Sequence, residues 1–356
     1  MKRPFLILIL VLIAAIVVPD VAEAQKTRYR RKKGNSKRIR KYSGNKRLTT
    51  GRFRPYSFVG ASLNAGNYFG DLAPVNKAAS TDISFTRPGF GGFIGKRINP
   101  WVSVRASLNW VRLSGSDFSA DPNGEGSDPQ RYARNLSFRN DIFELGLGAE
   151  IDLLKNVGSS NRRVPFTPYL FVGIGGFYHN PQGQVPDFDV NHPDYNRADP
   201  TASPETARFS NAGKFVGLRT LGTEGQNFTS TLEPYSNFQV NIPIAIGFRM
   251  RLPENFDASI EFGLRYLFFD YIDDVSRANY ADHDLFEDPL ARALADRSQE
   301  HVDVFSGDLR VPALVTRRPY TITDIRGNPD DNDLYFVTQL KLSYILNGTR
   351  TTAKFR

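Results

Sequence analysis

The residues able to do chemistry are few in this chain, and their spacing narrows what they could do. Cysteine is absent, which excludes disulfides, thiolate zinc sites, iron–sulfur clusters and thiol nucleophiles together. It also excludes anchoring through a lipidated N-terminal cysteine. The four histidines, His179, His192, His283 and His301, fall in loop-like stretches without metal-ligand spacing. No G-x-S-x-G, H-E-x-x-H or phosphate-binding loop occurs. One base and one acid, His179 and Asp270, could face each other at a barrel rim, as a lipid-cleaving enzyme would need. Two acid-rich stretches stand out, Asp270, Asp273 and Asp274 in one and Asp330, Asp331 and Asp333 in the other. Oxygen-rich clusters can hold Ca²⁺, so Asp273, Asp274, Asp330 and Asp331 are candidate cation ligands. The same residues also suit a solvated, turn-forming loop. The expectation is a protein without catalytic residues, cofactor or small-molecule substrate.

The remaining ionisable residues recur on one side of alternating stretches. Along 240–250, Val240, Ile242, Ile244, Ile246, Phe248 and Met250 share one face. Asn241, Gly247 and Arg249 lie on the other, because side chains of a strand alternate. The pattern repeats at 102–110, 143–153, 169–178, 258–268 and 334–346, and more weakly at 56–69 and 90–97, where small residues occupy both faces. Eight segments result, each near the length of a tilted membrane strand. Connections between them run long, short, long, medium, long, short, long, the rhythm of extracellular loops and periplasmic turns. The predicted fold is all-β: an eight-stranded antiparallel up-and-down transmembrane barrel. A soluble sandwich would alternate too, but it leaves unexplained why ionisable residues gather on one face and are missing from the other.

Eight strands enclose a lumen just wide enough for side chains. The predicted inward set includes Arg105, Glu144, Glu150, Asp152, Arg249, Glu261 and Arg265. Charges in so narrow a space must pair, which predicts a plug of ion pairs. A selectivity ring is the rival reading. Aromatics at strand ends predict two girdles. Tyr56, Trp101, Tyr169, Phe256 and Tyr344 would lie on the periplasmic rim, with Tyr68, Phe69, Trp110, Tyr178, Phe238, Phe268, Tyr271 and Tyr335 on the outer one.

The formal charge of +9 divides unevenly along the chain. Lys2 and Arg3 precede an apolar run from Phe5 to Val18 and the small residues of Ala22-Glu23-Ala24. This predicts a signal peptide over 1–24. Residues 25–54 carry 14 Lys/Arg and no acid, whereas 55–356 sum to −5. The basic segment includes Arg30, Arg31, Lys32, Lys33, Lys37, Arg38, Arg40 and Lys41. It lacks an apolar pattern, so a disordered periplasmic arm is expected, suited to an acidic partner or anionic lipid. Nucleic acid is disfavoured by compartment. The barrel is expected over 55–347 and a short periplasmic tail over 348–356, with both termini periplasmic and the barrel in the outer membrane.

Four stretches, in order, carry a family resemblance. They are Asn67-Tyr68-Phe69-Gly70-Asp71-Leu72, the Gly-rich run from Pro168 to Pro181, Asp270-Tyr271-Ile272-Asp273-Asp274-Val275-Ser276, and the stretch from Arg326 to Phe336. Together they resemble the PorG-type outer-membrane barrel of the type IX secretion system of Bacteroidota. The resemblance implies an eight-stranded barrel that contacts the periplasmic ring of the PorK lipoprotein and PorN. It also implies a structural role in export rather than a translocation pore. The basic arm and the full length of 180–236 and 273–333 depart from that pattern. The rival function is an OmpA-like surface barrel with a structural, ligand-binding or adhesive role carried by its long loops.

Overall fold

A computed structural model describes residues 53–73, 86–120, 129–156, 163–197, 199, 202–229, 232–316, 318–329 and 332–346. The predicted signal peptide, nearly all of the basic arm, the C-terminal tail, Asp330 and Asp331 lie outside the described residues.

Eight strands form the barrel wall: β1 (Tyr56–Phe69), β2 (Arg87–Arg97), β3 (Val102–Ser116), β4 (Ser137–Asp152), β5 (Phe166–Tyr178), β8 (Phe238–Arg251), β9 (Phe256–Leu267) and β10 (Leu334–Ile345). Each pairs antiparallel with both neighbours, in the order β3-β2-β1-β10-β9-β8-β5-β4, and β3 pairs with β4 to close the ring. Closure leaves no free edge, the condition for a sheet to cross a membrane. No helix among the described residues is long and apolar enough to cross one.

Apolar side chains such as Leu63, Leu108, Phe143, Ile174, Ile244 and Leu340 stand on the outer surface, exposed. Their strand neighbours Ser62, Asn64, Glu144 and Asn241 are buried inside. This reverses the usual order of a soluble protein, as lipid requires.

The two ends differ. At one end β2 leads to β3, β4 to β5 and β8 to β9, and β1 begins and β10 ends there. The described parts of the other four connections lie at the other end and form a cap. The cap contains β6 (Pro181–Gln184) and β7 (Phe215–Gly217), which extend the sheet from β4, and three short helices: α1 (Pro129–Arg134), α2 (Leu218–Leu221) and α3 (Pro289–Ala295). Asp288 caps α3, its carboxylate accepting from the Leu290 amide at 2.9 Å. Leu218 and Leu294 of the cap pack with Leu113, Phe138 and Ile142 of the barrel in one buried cluster. Sequence alternation marks these two strands only over 102–110 and 143–153. The structure extends both, pairing Leu113 with Asn140 through Ser116 with Ser137. The extension hides from alternation because Leu113, Ser114, Gly115 and Ser116 are all buried, whichever way they face.

Candidate functional site: the lumen and its cap

The predicted inward residues meet inside the barrel. Arg105 Nη1 donates to Glu150 at 2.7 Å and to Glu261 at 2.9 Å, and its Nη2 donates to Glu261 at 3.0 Å. Arg249 bridges Glu150 and Asp152, reaching Asp152 Oδ1 at 3.1 Å. Arg265 Nε donates to Glu144 at 3.2 Å. The network also holds residues outside the predicted set. Arg97 pairs with Asp152, and Lys341 pairs with Glu261. Tyr169 Oη donates to Glu261 at 2.9 Å, and Tyr335 Oη donates to Glu144 at 3.0 Å. Gln339 donates to Asn64 at 2.9 Å and to Asn109 at 3.2 Å, and Asn109 donates on to Glu144 at 3.2 Å. The cavity lined by Arg97, Glu150, Arg249 and Lys341 has a volume of about 20 Å³. That is room for roughly one water, so this layer is a plug.

Four tyrosines assigned to the rims are inside instead. Tyr56, Tyr68, Tyr169 and Tyr335 are all buried. Each shares strand parity with the polar face: Tyr68 with Asn64, and Tyr335 with Gln339 and Lys341. Parity carried the signal, and the position near a strand end misled. A phenol inside a charged lumen both fills space and donates a hydrogen bond. Trp101, Tyr178, Phe238, Phe268 and Tyr344 are exposed on the outer wall, as girdle residues would be.

At the cap end the chemistry changes. Tyr68 Oη lies 2.7 Å from Asp273 Oδ2 and 2.5 Å from Asp333 Oδ1. The far carboxylate oxygens accept from backbone amides, Val275 N to Asp273 at 2.9 Å and Ile272 N to Asp333 at 2.7 Å. A phenol has one hydrogen and can donate to only one of two carboxylates. The other contact requires a proton on an aspartic acid. Burial holds the Asp273 and Asp333 carboxyls well above the ordinary range, with the charge of Asp71 adding to the first and that of Asp273 to the second. Asp270 is pushed up to about 7, again first by burial and then by Asp71. Gly70 lies against this trio, where an added Cβ would collide with Tyr68 Oη and Asp333 Oδ1.

Of the candidate cation ligands, the two among the described residues, Asp273 and Asp274, do not come together. Asp274 sits at φ 68°, a left-handed conformation that turns it away from its neighbour. Its carboxylate accepts from Tyr235 Oη at 2.6 Å and from Thr223. Burial raises it to about 7 against the opposing pull of Arg326. Asp273 belongs to the Tyr68 trio, and Asp330 and Asp331 lie outside the described residues. Among the described residues no three histidine or acidic side chains converge as metal ligands. The expected solvated loop is also corrected: Asp273, Asp274 and Asp333 are buried because the cap folds over them. His179 is buried and faces the Ser236 carbonyl at 3.1 Å and Asn140 at 3.5 Å, with no bond to Asp270. Burial lowers its pKa to about 4, so it is neutral. A neutral imidazole tied to a carbonyl is packing, not half of an acid–base pair.

All four stretches that carried the family resemblance converge on this seam. Tyr68 meets Asp273 and Asp333, and Asp71 accepts from the Asn328 amide at 2.9 Å. Asn140 joins Asn180 to Ile272, accepting from the first at 2.9 Å and donating to the second at 2.7 Å. Arg326 pairs with Glu224 at 2.5 Å, whose same oxygen accepts from the Ser276 amide at 2.9 Å. These residues cement cap to barrel.

The family model for the outer membrane protein beta-barrel domain matches residues 48–285. No curated protein matches the chain. Among solved structures, neisserial surface protein A is 10% identical, covering 81% of this chain and 96% of its own, with a TM-score of 0.32. OprG of Pseudomonas aeruginosa is 9% identical, covering 83% of this chain and 97% of its own, at 0.33. Ail, the attachment invasion locus protein of Yersinia pestis, is 8% identical, covering 82% of this chain and 97% of its own, at 0.30. The family match spans well over half of the sequence and coincides with seven of the eight wall strands, so this chain belongs to the outer-membrane β-barrel protein family.

Proposed function

We propose that this outer-membrane barrel is a non-enzymatic anchor that assists type IX protein secretion. It would hold a PorK/PorN-like periplasmic ring against the membrane without conducting cargo. The observation that carries the reading is the lumen filled by Arg105, Arg249, Arg265 and Lys341 against Glu144, Glu150 and Glu261. A barrel closed by ion pairs and roofed by its own loops is suited to holding a position, and a diffusion pore would be wider. The resemblance to PorG-type barrels supplies the partner. In this reading the short-turn end and both termini face the periplasm. The arm at 25–54, with Arg30, Arg31, Lys32, Lys33, Lys37, Arg38, Arg40 and Lys41, is the electrostatic tether after removal of residues 1–24.

Co-purification of ring proteins with the full chain and with a chain lacking residues 26–54 tests the tether. Equal ring recovery would overturn it. Cargo export in a strain lacking the protein tests the role itself, and normal export would overturn that. A second reading, a surface barrel that binds a ligand or partner through its loops, is favoured by the apolar side chains the cap exposes. Leu309 is 80% exposed and Ile325 is 74% exposed. It predicts normal export in the null strain and a phenotype from trimming loop 180–236.

A further inference from the structure

The outer wall near the cap carries a graded arrangement of side chains. Five aromatics lie side by side, one on each of five successive strands. Phe90 is in register with Trp110, Trp110 with Phe143, Phe143 with Tyr178, and Tyr178 with Phe238. A continuous aromatic row of this kind marks the level where acyl chains give way to headgroups. The next outward pair toward the cap is Arg112 and Asp141. Arg112 donates to both oxygens of Asp141, at 2.7 and 2.9 Å, and lies over the Trp110 ring at 5.6 Å. One step further on the same face is Arg139. It stacks on Phe215 at 3.6 Å and donates to Gln182 at 2.8 Å. At about 3.3 Å per residue along a strand tilted about 40°, Arg112 and Arg139 stand roughly 5 and 10 Å beyond the aromatic row.

Asp141 spends both oxygens on Arg112, and Arg139 forms no ion pair among the described residues. Its Nε is shielded and has no partner. The patch therefore holds two guanidiniums against one committed carboxylate, at headgroup height. Guanidinium forks match phosphate oxygens, and the stacking on Phe215 and Trp110 orders them beforehand. We propose that Arg139 and Arg112 form a binding site for a phosphate-bearing lipid headgroup in the leaflet at the cap end of the barrel. The proposal rests on the reading of this wall as membrane-embedded.

The test uses the full chain folded into phosphatidylcholine vesicles containing lipid A, either with its phosphates or enzymatically dephosphorylated, followed by native mass spectrometry of retained lipid. The phosphorylated form should be retained and the dephosphorylated form lost. Arg139→Gln should weaken retention about tenfold, the size of one charge-assisted hydrogen bond. Arg139→Lys should restore only part of it, and Arg251→Gln at the opposite rim should leave it unchanged. Inorganic phosphate alone should not compete at equal concentration; full competition would assign the site to free phosphate instead. Equal retention of both lipids, or retention indifferent to Arg139→Gln, would overturn the proposal. Failure of the chain to insert into phosphatidylcholine vesicles would overturn the membrane reading, and the site with it.

Discussion

The two halves of the lumen solve the same problem with opposite chemistry. Toward the short-turn end, Glu150, Asp152 and Glu261 are each met by cations, from Arg97, Arg105, Arg249 and Lys341. Toward the cap, Asp273 and Asp333 meet a phenol and backbone amides. Both arrangements satisfy buried oxygens, as low-dielectric surroundings demand. The first does so with paired charge, each carboxylate meeting at least one cation. The second does so with protons, and protons leave as pH rises. The plug is thus built to stay closed, while the seam under the cap responds to its surroundings.

The sharpest way to break the contrast is to remove the hub of the charged half. Glu261→Ala leaves Arg105 and Lys341 without their shared carboxylate and should destabilise the barrel by about 3–5 kcal/mol. Urea unfolding in vesicles, followed by electrophoretic mobility of the folded form, would measure it. A loss below about 1 kcal/mol would mean that the plug contributes little to stability. In the proton-bound half the stakes are lower. Tyr68→Phe deprives two carboxyls of one hydroxyl and should cost about 1–3 kcal/mol, read as faster proteolytic nicking of the cap before the barrel unfolds.

The pH response separates the halves further. In the folded chain Asp270 and Asp274 keep a proton to about 7, against an ordinary 3.8 when unfolded. Between those values the folded state binds more protons. Their contribution is complete below the unfolded value and is lost as pH rises through about 7. Asp273 and Asp333 act in the same direction. His179 acts oppositely: its pKa falls from 6.5 to about 4, so its contribution is present above the first value and lost as pH falls through the second. Cap protection from protease should therefore decline on the alkaline side. Asp273→Asn supplies a permanent hydrogen-bearing group and should flatten the alkaline decline by about 1 kcal/mol. An unchanged slope would place the responsible proton elsewhere. The smallest effect is expected on the outer wall, where Trp101→Ala should shift stability by under about 1 kcal/mol, since the ring touches lipid rather than the plug.

How far this was legible depended on which rule each residue obeyed. Strand alternation marks Arg105, Glu144, Glu150, Arg249, Glu261 and Arg265 as one face, and the structure brings that face together. Lys341 sat on the same face of its strand, yet its partner could be identified only once β10 lay beside β9, with Gln339 opposite Glu261. The tyrosines show a conflict between two rules. Position near a strand end suggested a girdle, while parity pointed inward, and parity prevailed because the pleat sets which way a side chain faces. The acid clusters show the limit most plainly. As sequence, Asp273 and Asp274 are neighbours of like character. In the fold one faces Tyr68 and the other Tyr235, because Asp274 itself takes a left-handed conformation.

The sequence by itself determined the wall of this protein: strand number, facing and the rhythm of short and long connections. Each of these is written in a period of two and in turn chemistry, both local properties. Only the tertiary structure decided the roof and the seam beneath it. Long connections carry no period, and their order comes from contacts between residues far apart in the chain, such as Tyr68 with Asp333 and Arg326 with Glu224. Whether a carboxylate is solvated or buried, charged or protonated, follows from what those distant segments place over it.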